Sequence, residues 1–333
     1  MGKVFGIDMG SSHTRIYIKG AGLKVREPSV VAVDNRVNRI RSAGNAAKMM
    51  MGKTPSGITA CSPLQNGVIA DFDVASGMLE YFFRREAGGA LILSRPRVLL
   101  AVPHCATPTE RRSFYEAAAR AGAKSVGLVP ETLAAAIGVG LKIEEPKGKM
   151  IVNIGGGTTE VAVISFGGAV LTNSIRIGGV HLDRAISGYM RRRHGIVIGE
   201  VTAELLKKNI GSVFPMEETK SMEVHGNSGG HPVSVMVSSD ELRDALRTQA
   251  GQIVECIRAA FERTSPELCS DIREGGILLT GGSALVQGMD RLIEQKTGIR
   301  TVCAKQPIDS VVAGLGKIIE QGDRFGIVER TER

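Results

Sequence analysis

Two stretches of the chain share one pattern of apolar and polar positions. Residues 4–9 and 150–154 are short runs rich in apolar and β-branched residues, which is typical of buried strands. Each run carries a polar residue near its end, Asp8 in the first and Asn153 in the second, and leads into a turn of Gly, Ser and Thr. A second apolar run follows each turn. The pattern predicts two strand–turn–strand units, about half the chain apart, and therefore an internal duplication.

The composition of these two turns indicates a chemistry. Glycine lets the backbone approach a ligand closely, and successive N–H groups in such a turn form a concave site for an anion. Two such turns facing each other across a cleft would hold the two ends of a polyphosphate. Asp8, beside the first turn, would hold a hydrated Mg²⁺. The alternative is a pair of ordinary glycine-rich hairpins.

Apolar periodicity predicts further helices and strands in both halves of the chain. Predicted helices cover residues 73–83, 109–121, 131–139, 182–193, 202–208 and 239–261, with a last one carrying Val311, Leu315 and Ile319. Predicted strands cover residues 27–33, 97–103, 175–177, 231–237 and 277–280. Residues 44–76 contain several Gly and Pro breakers and are expected to be rich in loops. Strands followed by helices, twice over, predict two α/β domains around a cleft.

Length and composition agree with this interpretation. A chain of 333 residues favours two domains over one. Its apolar content of 43% and charged content of 23% are those of a soluble globular protein, and no apolar run approaches the roughly 20 residues that span a bilayer. We see no signal-peptide core at the N-terminus. The five cysteines are scattered without a Cys-x-x-Cys pair, which argues against a disulfide framework or a zinc site and fits a reducing cytoplasm.

The net charge of +8 suits an anionic partner, whether nucleic acid, anionic lipid or a nucleotide. Aromatic residues make up 4% of the chain, and no basic helix or RNA-binding signature stands out, so nucleic acid is not expected as a partner. The one dense basic cluster, at residues 191–194, is interpreted as the solvated end of a helix, with a docking patch as the alternative.

Taken in order, the motifs resemble those of the actin, Hsp70 and sugar-kinase superfamily, and within it the MreB family of bacterial actins. The resemblance covers nearly the whole chain and rests on motifs in family order at family spacing. They are Asp8-x-Gly10-Ser11-x-x-Thr14, Glu27-Pro28-Ser29-Val30-Val31-Ala32, Pro63-Leu64-Gln65-Asn66-Gly67-Val68-Ile69-Ala70-Asp71-Phe72-Asp73, Arg95-Pro96-Arg97-Val98, Ala134-Ala135-Ala136-Ile137-Gly138, Gly155-Gly156-Gly157-Thr158-Thr159-Glu160, Thr202-Ala203-Glu204-x-x-Lys207 and Leu279-Thr280-Gly281-Gly282.

This resemblance implies an α/β fold of the actin-like (ribonuclease H-like) kind, duplicated into two domains with a nucleotide cleft between them. The expected boundaries are residues 1–148 for domain I and 149–333 for domain II. Subdomain IB would be inserted at about residues 32–76, and subdomain IIB at about residues 186–249.

The resemblance also implies ATP or ADP and Mg²⁺ as cofactors. Asp8 would hold the metal ion, Glu131 would orient the attacking water, and Asn153 would assist in catalysis. For Glu131 the alternative is an acid that complements a helix N-terminus. The nucleotide-binding residues would be Gly10, Ser11, Ser12, His13, Thr14, Gly155, Gly156, Gly157 and Thr158 at the phosphates, Glu204, Lys207 and Lys208 at the ribose, and Gly281, Gly282, Ser283 and Ala284 at the base.

The chain departs from the family pattern at two of these positions. Asn153 stands where members of the family usually carry aspartate, and Ser283 replaces a third glycine. An amide still accepts a hydrogen bond from a metal-bound water, but it removes one negative charge from the Mg²⁺ shell. We therefore expect nucleotide binding with slow ATP hydrolysis, and a diverged paralogue is one interpretation.

Family resemblance further implies head-to-tail stacking of subunits into filaments at the inner face of the cell membrane. Such filaments would work with the cell-wall elongation machinery and maintain rod shape. Leu91, Ile92 and Leu93 form a short apolar segment flanked by arginines, which suits insertion into anionic lipid. The alternative is that these residues begin the buried strand predicted at 97–103.

Three other functions are open on the same fold. A sugar kinase would need a substrate-binding base outside the phosphate turns, and we find no candidate. An Hsp70-type chaperone would need a β-rich peptide-binding domain after Ser283, where about 50 residues remain. A plasmid-segregating actin is distinguished only by the closeness of the MreB-like motifs.

Overall fold

A computed structural model describes residues 3–87, 95–324 and 326–330. Within these residues the chain forms eighteen strands and ten α-helices. The strands are β1 (Val4–Met9), β2 (His13–Ile18), β3 (Gly22–Pro28), β4 (Val31–Asp34), β5 (Arg39–Ala43), β6 (Ile58–Cys61), β7 (Leu64–Gln65), β8 (Val68–Ile69), β9 (Arg97–Val102), β10 (Ser125–Pro130), β11 (Lys149–Ile154), β12 (Thr159–Ser165), β13 (Gly168–Ile175), β14 (Ser221–Ser228), β15 (His231–Ser238), β16 (Ile277–Thr280), β17 (Thr301–Cys303) and β18 (Glu329–Arg330).

The helices occupy the connections between these strands. They are α1 (Asn45–Lys48), α2 (Phe72–Ala87), α3 (Pro108–Arg120), α4 (Glu131–Val139), α5 (Gly179–His194), α6 (Glu200–Ile210), α7 (Ser239–Glu262), α8 (Pro266–Gly275), α9 (Met289–Thr297) and α10 (Ser310–Gln321). Two of them begin with a reciprocal capping box, formed by Thr107 and Glu110 at α3 and by Ser238 and Glu241 at α7. No helix among the described residues is long and apolar enough to cross a membrane.

Two large sheets carry the duplication. The first has the order β18-β10-β9-β1-β2-β3, and the second has the order β13-β12-β11-β16-β17. In each sheet an antiparallel three-strand meander continues through its first strand into two parallel strands. Apart from β18, the two sheets therefore have the same topology, and the predicted internal duplication is confirmed.

Smaller elements are inserted into both halves. In the first half, β4, β5 and β6 form a three-stranded sheet that carries α1, and β7 and β8 pair as a short hairpin. In the second half, α6 and the β14–β15 hairpin follow α5. The predicted insertion bounds, about residues 32–76 and 186–249, stay a prediction. We refer to these two groups of elements below as the first insertion and the second insertion.

The C-terminal elements return to the first sheet. Strand β18 pairs with β10, and α10 packs across α4 and against β1, where a Cβ on Gly6 would lie 2.9 Å from Leu315 Cβ. The division of the chain at residues 148 and 149 stays a prediction. Because of these contacts, we propose that α10 and β18 be counted with the unit built on the first sheet.

Candidate functional site

A cavity of about 540 Å³ lies between the two large sheets. Its lining comes from both halves of the chain and from both glycine-rich turns. The predicted residues that line it are Asp8, Gly10, Ser11, Ser12, His13, Glu131, Asn153, Gly155, Gly156, Gly157, Thr158, Glu204, Lys207, Lys208, Gly281, Gly282 and Ser283. The structure thus brings together most of the residues that the sequence singled out.

Two predicted residues, Thr14 and Ala284, are not part of this lining. The hydroxyl of Thr14 is fully buried and lies 2.8 Å from Ser29 Oγ, which in turn donates to the carbonyl oxygen of Gly10 at 2.6 Å. Ala284 is buried in a 3-10 turn at Gly282–Leu285. Through Ser29, Thr14 therefore supports the first turn on the side away from the cavity. The geometry does not support the Thr14 hydroxyl as a donor to a ligand.

The two glycine-rich turns close in the same way. The N–H of Gly10 donates to the carbonyl oxygen of His13 at 3.0 Å, and the N–H of Gly155 donates to the carbonyl oxygen of Thr158 at 2.8 Å. In both turns the bond joins the first residue to the residue three positions later. Each closed turn presents its intervening backbone to the cavity, as expected for an anion site.

The two turns are in direct contact at the floor of the cavity. A Cβ on Gly156 would lie 2.6 Å from Ser12 Cβ, and a Cβ on Gly157 would lie 2.5 Å from Ser11 Oγ and 2.6 Å from Gly67 N. Ser11 Oγ also accepts a hydrogen bond of 2.8 Å from the N–H of Gly67. Only glycine fits at residues 156 and 157, so the absence of side chains there is a steric requirement of the site.

Carboxyl groups gather beside these turns. Burial and the nearby carboxylates of Glu160 and Asp8 raise the pKa of Glu131 well above its usual value. Burial also raises the pKa of Asp8, and Arg15, whose Nη1 lies 3.5 Å from Asp8 Oδ2, opposes that rise. The Nδ2 of Asn153 donates to Glu131 Oε2 at 3.3 Å. Burial in this site therefore favours the protonated, neutral forms of both carboxyl groups.

These oxygen-bearing side chains could also bind a metal ion. Carboxylate and amide oxygens such as those of Asp8 and Asn153 are ligands of hard cations. In the described part of the chain, no three His, Cys, Asp or Glu side chains converge so as to hold a metal ion by themselves. A cation here would thus need further oxygen ligands from a bound anion and from water, which is the usual situation of Mg²⁺.

His13 sits beside the first turn as a neutral side chain. Burial, together with the charges of Arg15 and Lys48, lowers its pKa to about 4. Its Nδ1 lies 2.9 Å from Ser12 Oγ. At neutral pH His13 contributes a hydrogen-bonding group to the cavity and no charge.

The predicted ribose residues on α6 are held in different ways. Lys207 Nζ donates to the carbonyl oxygen of Gly179 at 2.8 Å and pairs with Asp183 at 2.8 Å. The charge of Lys207 is therefore already neutralised by a carboxylate in the second half of the chain. Glu204 faces the cavity and pairs with Lys208 at 2.6 Å. Of the three predicted ribose residues, Glu204 is thus the one that can accept a hydrogen bond from a ligand hydroxyl.

The turn after β16 closes the other end of the cavity. Gly281 has a φ of +85°, which favours glycine, and a Cβ there would lie 2.6 Å from the carbonyl carbon of Ile154. Ser283 Oγ donates to the carbonyl oxygen of Gly155 at 2.9 Å. The serine that replaces a third glycine therefore ties this turn to the second glycine-rich turn.

The sequence did not indicate the apolar wall beside this turn. Leu285 and Ile308 line the cavity although they are 52% and 41% exposed, and Val286, Pro307 and Val311 lie with them. Exposed apolar side chains facing a cavity suit a flat, largely apolar group of a ligand. The sequence feature that could have indicated this wall is the position of Leu285, just after a glycine-rich turn.

The sequence also gave no indication of two arginines in the cavity. Arg15 and Arg26 line the cavity and share Asp309, at 3.2 Å and 3.0 Å. Asp309 precedes α10, so the two arginines join β2 and β3 to the C-terminal part of the chain. No local sequence pattern connects residues so far apart.

Glu160 gives a testable pH dependence of stability. It is 1% exposed, its Oε1 accepts from the N–H of His104 at 2.8 Å, and burial raises its pKa from 4.5 to about 7. A raised folded-state pKa means that the carboxyl favours folding below about pH 4.5 and that this contribution is lost as the pH rises through 7. Between pH 4.5 and 7, the free energy of unfolding falls by about 3 kcal/mol because of this one group.

We therefore expect Glu160→Gln to flatten the pH dependence of the ligand-free protein. Urea unfolding at pH 5.5 and pH 8 would be compared for the two proteins. The free energy of unfolding should fall further between these pH values for the wild type than for Glu160→Gln. Equal slopes would contradict the assignment.

Comparison with known proteins agrees with this architecture. Residues 2–326 match the family model described as MreB/Mbl protein. The chain is 45% identical over 326 residues to the cell shape-determining protein MreB of Escherichia coli (strain K12), covering 96% of this chain and 94% of that protein. It is 39% identical over 322 residues to the cell shape-determining protein Mbl of Bacillus subtilis (strain 168), covering 96% of each.

Solved structures give the same result. The crystal structure of MreB5 of Spiroplasma citri bound to ADP superposes with a TM-score of 0.90 at 35% identity, covering 96% of this chain and 97% of that one. A match of this extent confirms the expected actin-like fold and does not favour the sugar-kinase, chaperone or plasmid-segregation alternatives. Two sheets of one topology, two touching glycine turns and similarity along nearly the whole length lead to one conclusion: the chain belongs to the MreB/Mbl family and is an MreB-like actin homologue.

Proposed function

We propose that this protein binds ATP or ADP in the cleft between its two sheets and assembles into filaments that help to determine cell shape. The observation that carries the proposal is the direct contact of the two glycine turns, Gly156 against Ser12, at the floor of the cavity. The similar Spiroplasma citri MreB5 has been solved bound to ADP and bound to AMPPNP.

Each part of the cavity suits one part of the nucleotide. The backbone N–H groups of residues 10–13 and 155–158 would bind the β- and γ-phosphates, and the hydroxyl of Thr158 would add a donor. Glu204 would accept from the ribose hydroxyls. The wall at Leu285 and Ile308 would pack against the base, next to the backbone of Gly281 and Gly282.

The charge of the site fits a magnesium ion as well. Asp8 would hold Mg²⁺ through water, because this ion gives up its hydration shell reluctantly. Bound there, Mg²⁺ would supply positive charge that offsets the negative charge developing on the phosphates during phosphoryl transfer. It would also relieve the mutual repulsion of the buried carboxylates Asp8, Glu131 and Glu160.

Hydrolysis would depend on positioning by Glu131. Its carboxylate lies at the start of α4 and is held by the amide of Asn153, so it can accept a hydrogen bond from an attacking water. Asn153 supplies a donor to Glu131 but no charge to the metal shell. We propose that turnover is slower than in relatives with aspartate at this position.

Glu131→Gln should separate hydrolysis from binding. We expect phosphate release to fall at least about 100-fold, within the usual range for loss of a general base, while ATP affinity is kept. Affinity is kept because glutamine preserves shape and removes a negative charge near the phosphates. Phosphate release and ATP titration of both proteins would be measured, and undiminished release would refute the role of Glu131.

Filament formation is tested by sedimentation. Purified protein is centrifuged with Mg²⁺ and ATP, with ADP, or without nucleotide, and without sugar or peptide. The proposal expects polymer in the pellet that depends on nucleotide. Protein that stays in the supernatant at all concentrations, while still binding ATP, would contradict assembly.

We also propose that these filaments lie on the inner face of the cell membrane and work with the cell-wall elongation machinery. The predicted lipid contact, Leu91 to Leu93, lies outside the described residues, and β9 begins at Arg97. The triple variant Leu91→Ser, Ile92→Ser, Leu93→Ser should lose most of its pelleting with anionic liposomes, because the apolar insertion is removed. Unchanged pelleting would rule out this segment as the anchor.

A further inference from the structure

An ion pair joins the two insertions beside the cavity. Lys48 Nζ, at the end of α1 in the first insertion, is bonded to Glu204 Oε2 on α6 in the second insertion. The two side chains are 25% and 15% exposed. An ion pair this far withdrawn from water is screened less by salt than a surface pair.

The position of Lys48 is fixed by its own segment. Ala47, the preceding residue, is fully buried in the small core of the first insertion. At the other end of α1, the N–H of Asn45 donates to Glu27 Oε2 at 2.8 Å, and Glu27 pairs with Arg85 at 3.1 Å. Because α1 is held at both ends, its backbone position directs the Lys48 side chain across the cleft.

Glu204 receives two ammonium groups, one on each oxygen. Oε2 accepts from Lys48, and Oε1 pairs with Lys208 at 2.6 Å. Burial acts against ionisation, but the hydrogen bonds from Lys208 and Lys48 prevail and lower the pKa of Glu204 to about 2. Each carboxylate oxygen keeps a further lone pair, so the group remains able to accept from a ligand hydroxyl.

We propose that Lys48 is a positioning residue of the nucleotide site: it holds the Glu204 carboxylate toward the ribose and ties the first insertion over the bound nucleotide. The inference rests on the proposed nucleotide binding and adds a residue from outside the cavity lining. Lys208 cannot replace Lys48 in this role, because it lies on α6 itself and restrains Glu204 from within the same helix.

The test compares ATP with 2′-deoxy-ATP and 3′-deoxy-ATP in Mg²⁺ buffer. Dissociation constants are measured for the wild type, Lys48→Met, Lys48→Arg and Lys53→Met. Lys53 follows α1, is exposed, and its variant removes the same charge from the same insertion, so it is the matched control. Melting temperatures are recorded for all four proteins to show that each is folded.

In Lys48→Met, we expect ATP affinity to fall about tenfold, the size of one charge-assisted hydrogen bond. The deoxy analogue that lacks the Glu204 contact should lose much less, so the preference for ATP over it should approach one. Lys48→Arg should stay within about twofold of the wild type because arginine also reaches a carboxylate, and Lys53→Met should be unchanged.

Equal weakening of ATP and both analogues, or no weakening, would overturn the role of Lys48. A wild type that binds ATP without discriminating against either analogue would overturn it too, because Glu204 would then not contact the ribose. A wild type that binds no ATP at all would instead refute the proposed function, so the two failures are distinguishable.

Discussion

Gly156→Val is expected to abolish nucleotide binding while leaving the protein folded. A Cβ at this position would lie 2.6 Å from Ser12 Cβ and 3.1 Å from Ser12 N, so the side chain would force the two glycine turns apart. The turns would then no longer present their N–H groups to the same phosphates. Because several charge-assisted hydrogen bonds would be lost together, we expect affinity for ATP to drop at least about 1,000-fold.

The matched control is Gly168→Val. Gly168 lies at the start of β13 in the same sheet, without a left-handed φ, and a Cβ there would meet nothing within 4 Å. Calorimetric titration and the melting temperature of both variants separate loss of the site from loss of the fold. Tight ATP binding by Gly156→Val would show that the two turns do not act together.

Gly314→Ala is expected to give the largest loss of stability. Helices α4 and α10 cross with their backbones in contact, so a Cβ on Gly314 would lie 2.6 Å from the carbonyl carbon of Ala134, and one on Gly138 would lie 2.9 Å from Gly314 N. These neighbours are backbone atoms, which cannot move aside as a side chain would. We expect a cost of about 3 kcal/mol, the upper end for overpacked cores.

Gly251→Ala on the exposed side of α7 is the control for this prediction. Nothing lies within 4 Å of its Cβ position, so alanine should stabilise the helix by about 0.5 to 1 kcal/mol. Chemical unfolding of both variants measures the difference. A Gly314→Ala protein as stable as the wild type would mean that α4 and α10 do not pack as closely as described.

The same crossing links stability to the site. Glu131 is the first residue of α4, so a shift of this helix away from α10 would move the carboxylate that faces Asn153. Gly314→Ala should therefore slow ATP hydrolysis more than it weakens ATP binding, because the glycine turns do not belong to this contact.

Elements with strong local signals were predictable from the sequence. The short apolar run at 277–280 and the alanine-rich segment at 131–139 form β16 and α4 with the predicted bounds. The long amphipathic segment after Ser239 forms α7, whose buried face carries Leu242, Leu246 and Ile253. In these cases the local pattern of apolar residues agrees with the burial that the fold gives them, so local sequence is sufficient.

Elements whose stability comes from their partners were not predictable. Strand β6 lies between Gly57 and Pro63 in a segment expected to be loop-rich, and it forms because it pairs with β4. Strand β14 includes Gly226 and Asn227, which are poor strand residues, and its pairing with β15 stabilises it. Helices α8 and α9 were also missed.

The candidate site divides in the same way. The glycine turns and the carboxylates beside them were visible because each is a local motif. The wall at Leu285 and Ile308, the shared Asp309 and the Lys48–Glu204 pair join segments that are distant in sequence, so only the fold reveals them. Thr14 carried a family motif, yet its hydroxyl bonds to Ser29 inside the first unit.

Calorimetric titration of the purified protein with ATP in magnesium buffer tests most directly whether the two glycine-rich turns bind one triphosphate together. We expect saturable binding of one ATP per chain in the wild type and in Gly168→Val, and none in Gly156→Val. Absence of ATP uptake by the folded wild type, or equal uptake by all three proteins, would contradict the proposed site.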